Sequence, residues 1–245
     1  MMIRFLEELS FNAWPALQTL HYDGWLVRFA DGFTRRANSV NPVYASTLPA
    51  IEKLRACEQI YAQRGIPITF KLTEAVYPAD LDSVLASEGY TIDAPTSVQR
   101  LTLTGGDAIP RGVEWTAQLT DEWLSDYFRL NGRDPRFKPV MRQMIQTIFP
   151  ATCFMSLRDA GAVVALGLGV LERGYLGLYD IVVAASHRQR GLGTTLVSGL
   201  LAWGKTNGAQ HSYLQVMQQN TPAWRLYARL GFREIYHYWY RIKTW

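Results

Sequence analysis

The chain has 245 residues, of which 48% are hydrophobic and 19% are charged, and its formal net charge is +4. This length suits one large domain or two small ones, with ample apolar material for a packed core. The mild charge and scattered basic residues argue against a clustered nucleic-acid-binding surface, and therefore against a tRNA-dependent transferase.

Targeting, redox and metal signals are weak in this sequence. Acidic Glu7 and Glu8 come too early for a secretory signal, and no apolar run reaches the roughly 18 residues of a membrane span. Cys57 and Cys153 lie far apart in apolar segments, and we interpret them as reduced core residues. We therefore expect a cytoplasmic protein without a metal, a membrane segment or a nucleic-acid partner; the oligomeric state is not predicted.

The first half of the chain alternates strands with helices. A strand ending near Val40 precedes a helix over 49–64, a strand over 68–72 and a helix over 79–88. Residues 35–39 are polar where a strand should be partly apolar, which either a solvated edge strand or an acceptor-binding surface explains.

Residues 105–112 are rich in glycine and proline and break the periodicity on both sides. They predict a linker between a domain at 1–104 and a domain at 113–245. Beyond the linker, tight turns predict an antiparallel meander. The predicted elements are a strand at 113–115, a helix capped by Thr120, a helix around 140–149, strands at 152–157, 162–171 and 175–183, a helix at 193–205, a strand at 212–216 and a helix at 222–230.

The two halves share the same order and spacing of predicted strands and helices. Val183 and Gly208 lie 143 residues after Val40 and Gly65, and each pair occupies the same place, at the end of a strand or of a helix. The repeat is one of pattern rather than of residue identity. It predicts a duplicated α/β chain.

A glycine-rich turn follows the strand that ends at Val183. Gly191 and Gly193 allow positive φ and close approach of a ligand, and the helix that follows offers unpaired N–H groups and its positive dipole end. Two arginines add donors suited to a diphosphate. The predicted anion-binding residues are Arg188, Gln189, Arg190, Gly191, Leu192, Gly193 and Thr194.

Three features together resemble the GNAT superfamily of acetyl-CoA-dependent N-acetyltransferases. They are Ile181-Val182-Val183, the motif Arg188-x-x-Gly191-x-Gly193, and Asn220-x-x-Ala223-x-x-Leu226-Tyr227-x-x-x-Gly231-Phe232. The resemblance implies an α/β fold of two GNAT-like units, with mixed, mostly antiparallel, splayed sheets flanked by helices. It covers about 113–242 well, whereas the first half has Leu48 where the second has Gly191 and is expected to be a degenerate copy.

The resemblance also implies roles for individual residues. Backbone groups of Ile181, Val182 and Val183 would meet the pantetheine arm and thioester of acetyl-CoA, and Asn220 would contact the coenzyme. Tyr227 would act as general acid toward the leaving thiolate, although a tyrosine that only fills the apolar helix face fits the same pattern.

The implied activity is direct transfer of an acetyl group from acetyl-CoA to a primary amine of a small acceptor, within a ternary complex. The general base stays open, because Gln215 stands where many relatives carry a carboxylate. The alternative is an inactive acyl-CoA-binding sensor or scaffold. Candidate substitutes for the base are Asp180, Glu172, Glu114 and Tyr179.

Overall fold

The structure is a computed structural model that describes residues 1–105 and 108–244. In chain order, the first half contains α1 (Met2–Ala13), β1 (Gln18–Tyr22), β2 (Trp25–Phe29), β3 (Val40–Pro42), α2 (Ala50–Gln63), β4 (Ile68–Thr73), α3 (Leu81–Ser87) and β5 (Thr91–Thr102). The second half contains β6 (Val113–Thr116), α4 (Asp121–Asn131), α5 (Lys138–Gln146), β7 (Ala151–Asp159), β8 (Ala162–Glu172), β9 (Tyr175–Val183), α6 (Leu192–Thr206), β10 (His211–Met217), α7 (Thr221–Arg229) and β11 (Arg233–Lys243).

The chain divides into two compact units. Unit 1 comprises Met1–Ser97 together with Tyr236–Trp245, and unit 2 comprises Val98–Ile235. The C-terminal residues therefore belong to unit 1 in the structure, whereas the sequence places them in the second copy. The domain limits at 1–104 and 113–245 stay a prediction. Gly106 and Asp107 of the expected linker lie outside the described residues.

Unit 1 contains a mixed sheet in the order β1-β2-β3-β4-β11. β1 and β2 form an antiparallel hairpin, β3 pairs with β4 in parallel, and β11 pairs with β4 in the antiparallel direction. The helix α2 covers this sheet with Leu54, Cys57 and Tyr61, which are fully buried. Their spacing of three and four residues is that of one helix face, so the apolar periodicity accounts for the helix.

Residues 35–39 do not form a strand, which corrects the edge-strand interpretation, whereas Arg35 is exposed and the acceptor-binding surface stays a prediction. Arg35–Ala37 forms a short 3-10 turn, and Asn38 behind it is only 6% exposed. The Asn38 side chain accepts from the N–H groups of Ala30 and Gly32 and donates to the carbonyl of Thr34. Asn38 thus serves an internal network, which the sequence pattern does not reveal, whereas the exposed Arg35 pairs with Asp93.

The aromatic C-terminal residues 236–240 lie on β11 and belong to unit 1. Tyr236, Tyr238 and Tyr240 share one face and are buried. The Tyr236 hydroxyl donates to the buried Glu7 carboxylate at 2.7 Å. These tyrosines are core residues of unit 1.

Unit 2 contains strands in the order β10-β9-β8-β7-β6, of which β10 and β9 are parallel and the others antiparallel. The predicted meander is therefore confirmed. Thr120 caps α4, its hydroxyl accepting from the Trp123 N–H at 3.1 Å. α6 packs on the sheet through Leu196, Val197 and Leu200, all fully buried.

Both cysteines are free and buried, and burial raises their pKa to about 12, so neither is a reactive thiolate. Across residues 1–105 and 108–244, none of the helices has the length and apolar character that crossing a membrane requires.

Candidate active site

The end of β9 departs from regular pairing with β8. The Leu168–Tyr179 pair is followed by the Leu166–Val182 pair, so β9 holds one residue more than β8 over this stretch. Asp180 has a positive φ of 54° at this point. The irregularity is a β-bulge, which bends a strand and redirects its side chains.

A glycine on β8 makes room for the bulge. A Cβ at Gly167 would lie 2.5 Å from Cδ1 of Ile181, a distance that real side chains do not reach. Beyond the bulge, Ile181 and Val183 pack partly buried against the core of unit 2, and Val182 is half-buried. The three predicted residues thus form a partly exposed strand end.

β9 and β10 separate beside this strand end. Their parallel pairing runs up to the Leu214–Leu178 pair, although β9 continues to Val183 and β10 to Met217. Within the described residues, these two strands form no pair beyond that point. A gap therefore opens between two adjacent parallel strands, as the resemblance implies.

The backbone of Val183 faces this gap. The Ala184 N–H donates to the Val164 carbonyl on β8 at 2.7 Å, and Val183 lies opposite Ala165. Because neighbouring residues of a strand direct their backbone groups to opposite edges, the N–H and C=O of Val183 point away from β8. The Arg188 side chain donates from Nε to that carbonyl oxygen at 3.4 Å. The N–H of Val183 is therefore the backbone donor that is directed at the gap.

The glycine-rich turn lies between this strand end and α6. Gln189 and Gly191 have positive φ values of 62° and 80°, and Gly191 is the N-cap of α6 without a side-chain capping bond. The first i to i−4 bond of the helix runs from the Thr195 N–H to the Gly191 carbonyl. The backbone N–H groups before it, which an α-helix leaves without an internal partner, belong to Leu192, Gly193 and Thr194.

Gly193 brings three elements together. A Cβ at this position would lie 2.7 Å from Cδ1 of Leu226 on α7 and 3.7 Å from Cγ2 of Val183 on β9. A Cβ would therefore require the Leu226 side chain to shift. The absence of one lets the helix start, the strand end and α7 converge, so the predicted motifs form one site in unit 2.

The two arginines of the turn contact groups of the protein. The Arg190 guanidinium lies 3.3 Å from the Asp159 carboxylate, and Nε2 of His187 lies 3.2 Å from the same oxygen atom. Asp159 ends β7 and was missed from the sequence, because only the meander brings it to the turn. Arg190 and Asp159 side chains are 56% and 46% exposed, so solvent weakens the pair.

Asn220 has a local structural role at the start of α7. Its Oδ1 accepts from the Ala223 N–H at 3.3 Å, which is an N-cap, and the residue is exposed. An asparagine directly before Thr221-Pro222 at the predicted helix start is a sequence signal for such a cap. A coenzyme contact by Asn220 stays a prediction.

Tyr227 is buried in the core of unit 2. It is 8% exposed, and its ring meets Phe232 edge-on at a centroid distance of 5.8 Å. Burial raises the pKa of its hydroxyl to about 12. The group therefore keeps its proton at neutral pH and can act as a donor. It adjoins Leu226, which contacts the start of α6 at Gly193.

Two of the four base candidates lie away from the gap. Glu114 is on β6, three strands and about 14 Å from β9, and its carboxylate bonds Arg158 at 2.9 Å. Glu172 pairs with Tyr175 at the opposite end of β9. It is about 17 Å along the strand from the bulge.

The other two candidates lie where the strands separate. The Tyr179 hydroxyl is buried and shares a hydrogen bond of 2.9 Å with the Tyr213 hydroxyl of β10. Asp180 occupies the bulge itself and is half-buried. Of the four, Asp180 is the acidic residue that follows the last pair between β9 and β10.

Comparison with known sequences gives matches along nearly the whole chain. Residues 1–241 match the family described as "Probable histone acetyltransferase Rv0428c C-terminal". The uncharacterized N-acetyltransferase YobR of Bacillus subtilis (strain 168) is 32% identical over 246 residues, which covers 98% of each chain.

Two solved structures share the fold at low sequence identity. A GCN5-related N-acetyltransferase from Kribbella flavida has a TM-score of 0.68 at 15% identity, covering 99% of this chain and 95% of that one. A tandem GNAT protein from the clavulanic acid biosynthesis pathway has a TM-score of 0.66 at 14% identity, covering 97% of this chain and 87% of that one.

Proposed function

Because the chain belongs to the Rv0428c C-terminal acetyltransferase family and is a GNAT N-acetyltransferase, we propose that it transfers acetyl from acetyl-CoA directly to a primary amine in a ternary complex. The observation that carries this proposal is the gap between β9 and β10, with the uncapped start of α6 beside it. The gap suits an extended acyl-pantetheine arm, and the helix start suits a diphosphate.

The turn provides the coenzyme-binding groups in this proposal. The N–H groups of the helix start hold the diphosphate, and the side chains of the turn add positive charge and donors. The turn has open space for that group, because a Cβ added at Gly191 would meet no atom within 4 Å. Gly193, by contrast, lies against α7, where an added Cβ would meet a side chain. The residues assigned to coenzyme binding are Ile181, Val182, Val183, Arg188, Gln189, Arg190, Gly191, Leu192, Gly193, Thr194 and Asn220.

Two donors support the chemical step. The Val183 N–H, directed into the gap, stabilises negative charge that develops on the acetyl carbonyl oxygen. Tyr227, protonated because burial raises its pKa to about 12, donates a proton to the sulfur that leaves. Bound acetyl-CoA supplies the activated acetyl group.

The acceptor amine must lose a proton before it attacks, because an alkyl ammonium has a pKa near 10. Gln215 cannot accept this proton. We assign proton acceptance to Asp180, directly or through water, since it is the one acidic residue of the four candidates in the part of β9 that lies beyond its pairing with β10. Asp180→Asn should lower kcat and leave acetyl-CoA affinity nearly unchanged.

A thiol-release assay tests the proposal. Acetyl-CoA is incubated with amino acids, polyamines, aminoglycosides or peptides with a free N-terminus, and free thiol is measured against acceptor-free controls. Acceptor-dependent release supports the transferase. Gln215 favours a second candidate, an acyl-CoA-binding sensor, which predicts acetyl-CoA binding without release on every acceptor.

A further inference from the structure

One face of β4 in unit 1 is polar although it is buried. The apolar residues of this strand pack in the core that α2 covers, and the polar residues that alternate with them belong to the opposite face. These polar residues are Thr69, Lys71 and Thr73, of which none is more than 9% exposed. A buried polar face is informative, because polar groups cost free energy in a core unless they are bonded.

An open cavity of about 310 Å³ lies at this polar face, at the lower end of the range for small-molecule sites. Its walls come from α1, β3 and β4 with the residues that follow each strand, all within unit 1. β3 and β4 pair in parallel at Val40 and Phe70, and the cavity lies beyond that pair, toward the carboxyl ends of both strands. Ligand sites of α/β sheets form at such strand ends. The polar lining residues are Arg4, Glu7, Asn41, Lys71 and Thr73.

Asn41 supplies an acceptor to the lining of the cavity. The residue is 1% exposed, and its Nδ2 donates to the main-chain carbonyls of Ser39 at 2.8 Å and Leu26 at 3.4 Å. These carbonyls fix which amide atom is the nitrogen, since a flipped amide would place its oxygen against theirs. Within the described residues, Oδ1 of Asn41 is buried and has no hydrogen-bond partner. A ligand with an N–H or O–H group would supply the missing donor.

The charged groups of the cavity leave an excess of positive charge. The Lys71 ammonium donates to the Glu7 carboxylate at 2.5 Å, and neither side chain is more than 4% exposed. The other oxygen of Glu7 accepts from the Tyr236 hydroxyl at 2.7 Å, so both carboxylate oxygens have a donor. Arg4 is exposed and adds a second cation to the lining. Two cations stand against one carboxylate, which favours a ligand with a negative charge.

We propose that this cavity binds a small carboxylate with an N–H or O–H donor beside it, as in α-amino and α-hydroxy acids. The ligand carboxylate binds Arg4 and Lys71, and its adjacent donor bonds Oδ1 of Asn41. Thr73 provides a further donor, because its Oγ1 accepts from the Ala75 N–H at 3.2 Å and its hydroxyl hydrogen is left for the ligand. The site shares no residue with those assigned to coenzyme binding, so it is a second ligand site of the chain.

Ligand-observed NMR titration of the full chain tests this chemistry with four probes. Glycine and glycolate carry both groups, whereas acetate lacks the donor and methylammonium lacks the carboxylate. We expect saturable binding of glycine or glycolate, with acetate and methylammonium weaker by about tenfold, since each lacks one buried hydrogen bond or ion pair. A preference for glycine identifies an amino acid as the ligand, and a preference for glycolate identifies a hydroxy acid.

Two variants locate the binding in this cavity. Arg4→Ala removes the exposed cation and should weaken binding of the preferred probe about threefold. Arg55→Ala is the matched control, an exposed arginine on α2 that is not part of the lining, and should bind like the unmodified chain. Asn41→Leu removes the acceptor at nearly constant size. It should abolish the preference of glycine or glycolate over acetate, which a merely structural role of Asn41 would not change.

The proposal is overturned if none of the four probes binds saturably, which would leave the cavity to water. It is also overturned if acetate binds as tightly as glycine and glycolate, or if Arg4→Ala and Arg55→Ala bind the preferred probe equally. Should Asn41→Leu not fold, the comparison of the two arginine variants decides. Loss of acetyl-CoA affinity in the unmodified chain would refute the proposed function separately and leave this site intact.

Discussion

Burial sets the pKa of the Tyr227 hydroxyl, and the position of Tyr227 on α7 sets its distance from the proposed coenzyme site. Its raised pKa of about 12 keeps the proton on the oxygen throughout the neutral range. The neighbouring Leu226 contacts Gly193 at the start of α6, so the tyrosine is held near the proposed coenzyme site. The general-acid role that we propose for Tyr227 thus depends on a donor that the core keeps protonated.

Tyr227→Phe should lower kcat roughly 10²-fold and leave KM for acetyl-CoA nearly unchanged, because it removes a proton donor and no binding group. Steady-state kinetics with a reactive acceptor measure both constants. Tyr127→Phe is the matched control, since Tyr127 is a buried tyrosine on α4. Normal turnover by the Tyr227 variant would exclude the hydroxyl as the acid.

Asp23, in the turn between β1 and β2, makes a pH-dependent contribution to stability, because its carboxylate accepts from the Leu48 N–H at 2.8 Å. Its folded pKa of about 2 lies below the ordinary 3.8, so the contribution is fully present above about pH 4 and is lost as pH falls through 2. The difference in Tm between the unmodified chain and Asp23→Asn should be constant above that range and shrink below it. A difference that grows on acidification would contradict this lowered pKa.

At the scale of single elements, apolar periodicity is sufficient to predict the helices and the meander of unit 2. Repeated leucines give α6 its buried face, and Thr120 marks the start of α4. The bulge at Asp180 could not be predicted, because an extra residue in a strand leaves no periodic signal over so short a length. The one sign of the bulge in the sequence was a polar residue, Asp180, within an apolar strand.

Two substitutions separate the two roles of Asn220 at the start of α7, the N-cap and the proposed coenzyme contact. Asn220→Ala removes both the N-cap and the amide group and should destabilise the protein by about 1 kcal/mol. Asn220→Ser keeps a capping oxygen and removes the amide. If the amide contacts the coenzyme, both variants raise KM for acetyl-CoA; if the residue is only a cap, the serine variant behaves like the unmodified protein.

The contact between α6 and α7 can be tested by a double-mutant cycle. Gly193→Ala places a Cβ 2.7 Å from Leu226 and should cost about 1–3 kcal/mol through overpacking. Leu226→Ala removes the atom it meets and should restore part of that loss. Denaturant unfolding measures all four proteins, and strictly additive effects would show that the helices do not meet there.

For the whole molecule, an offset of 142 to 143 residues between corresponding elements predicts duplication, and the structure contains two compact units. What the sequence could not show is how the loops before α2 and α6 differ. Unit 2 begins α6 with an uncapped glycine, whereas in unit 1 the Asp23 carboxylate accepts from the Leu48 N–H before α2. Asp23 is 25 residues from Leu48, so its bond depends on the hairpin packing.

Calorimetric titration of acetyl-CoA tests most directly whether main-chain amides at the start of α6 hold the coenzyme. Gly191→Glu adds a like charge beside the phosphates, whereas Gly208→Glu changes a glycine after the end of the same helix, also with positive φ and open space around it. We predict one bound acetyl-CoA per chain for the unmodified protein and for Gly208→Glu, and no measurable binding for Gly191→Glu. Equal affinity in all three proteins would contradict this placement of the coenzyme.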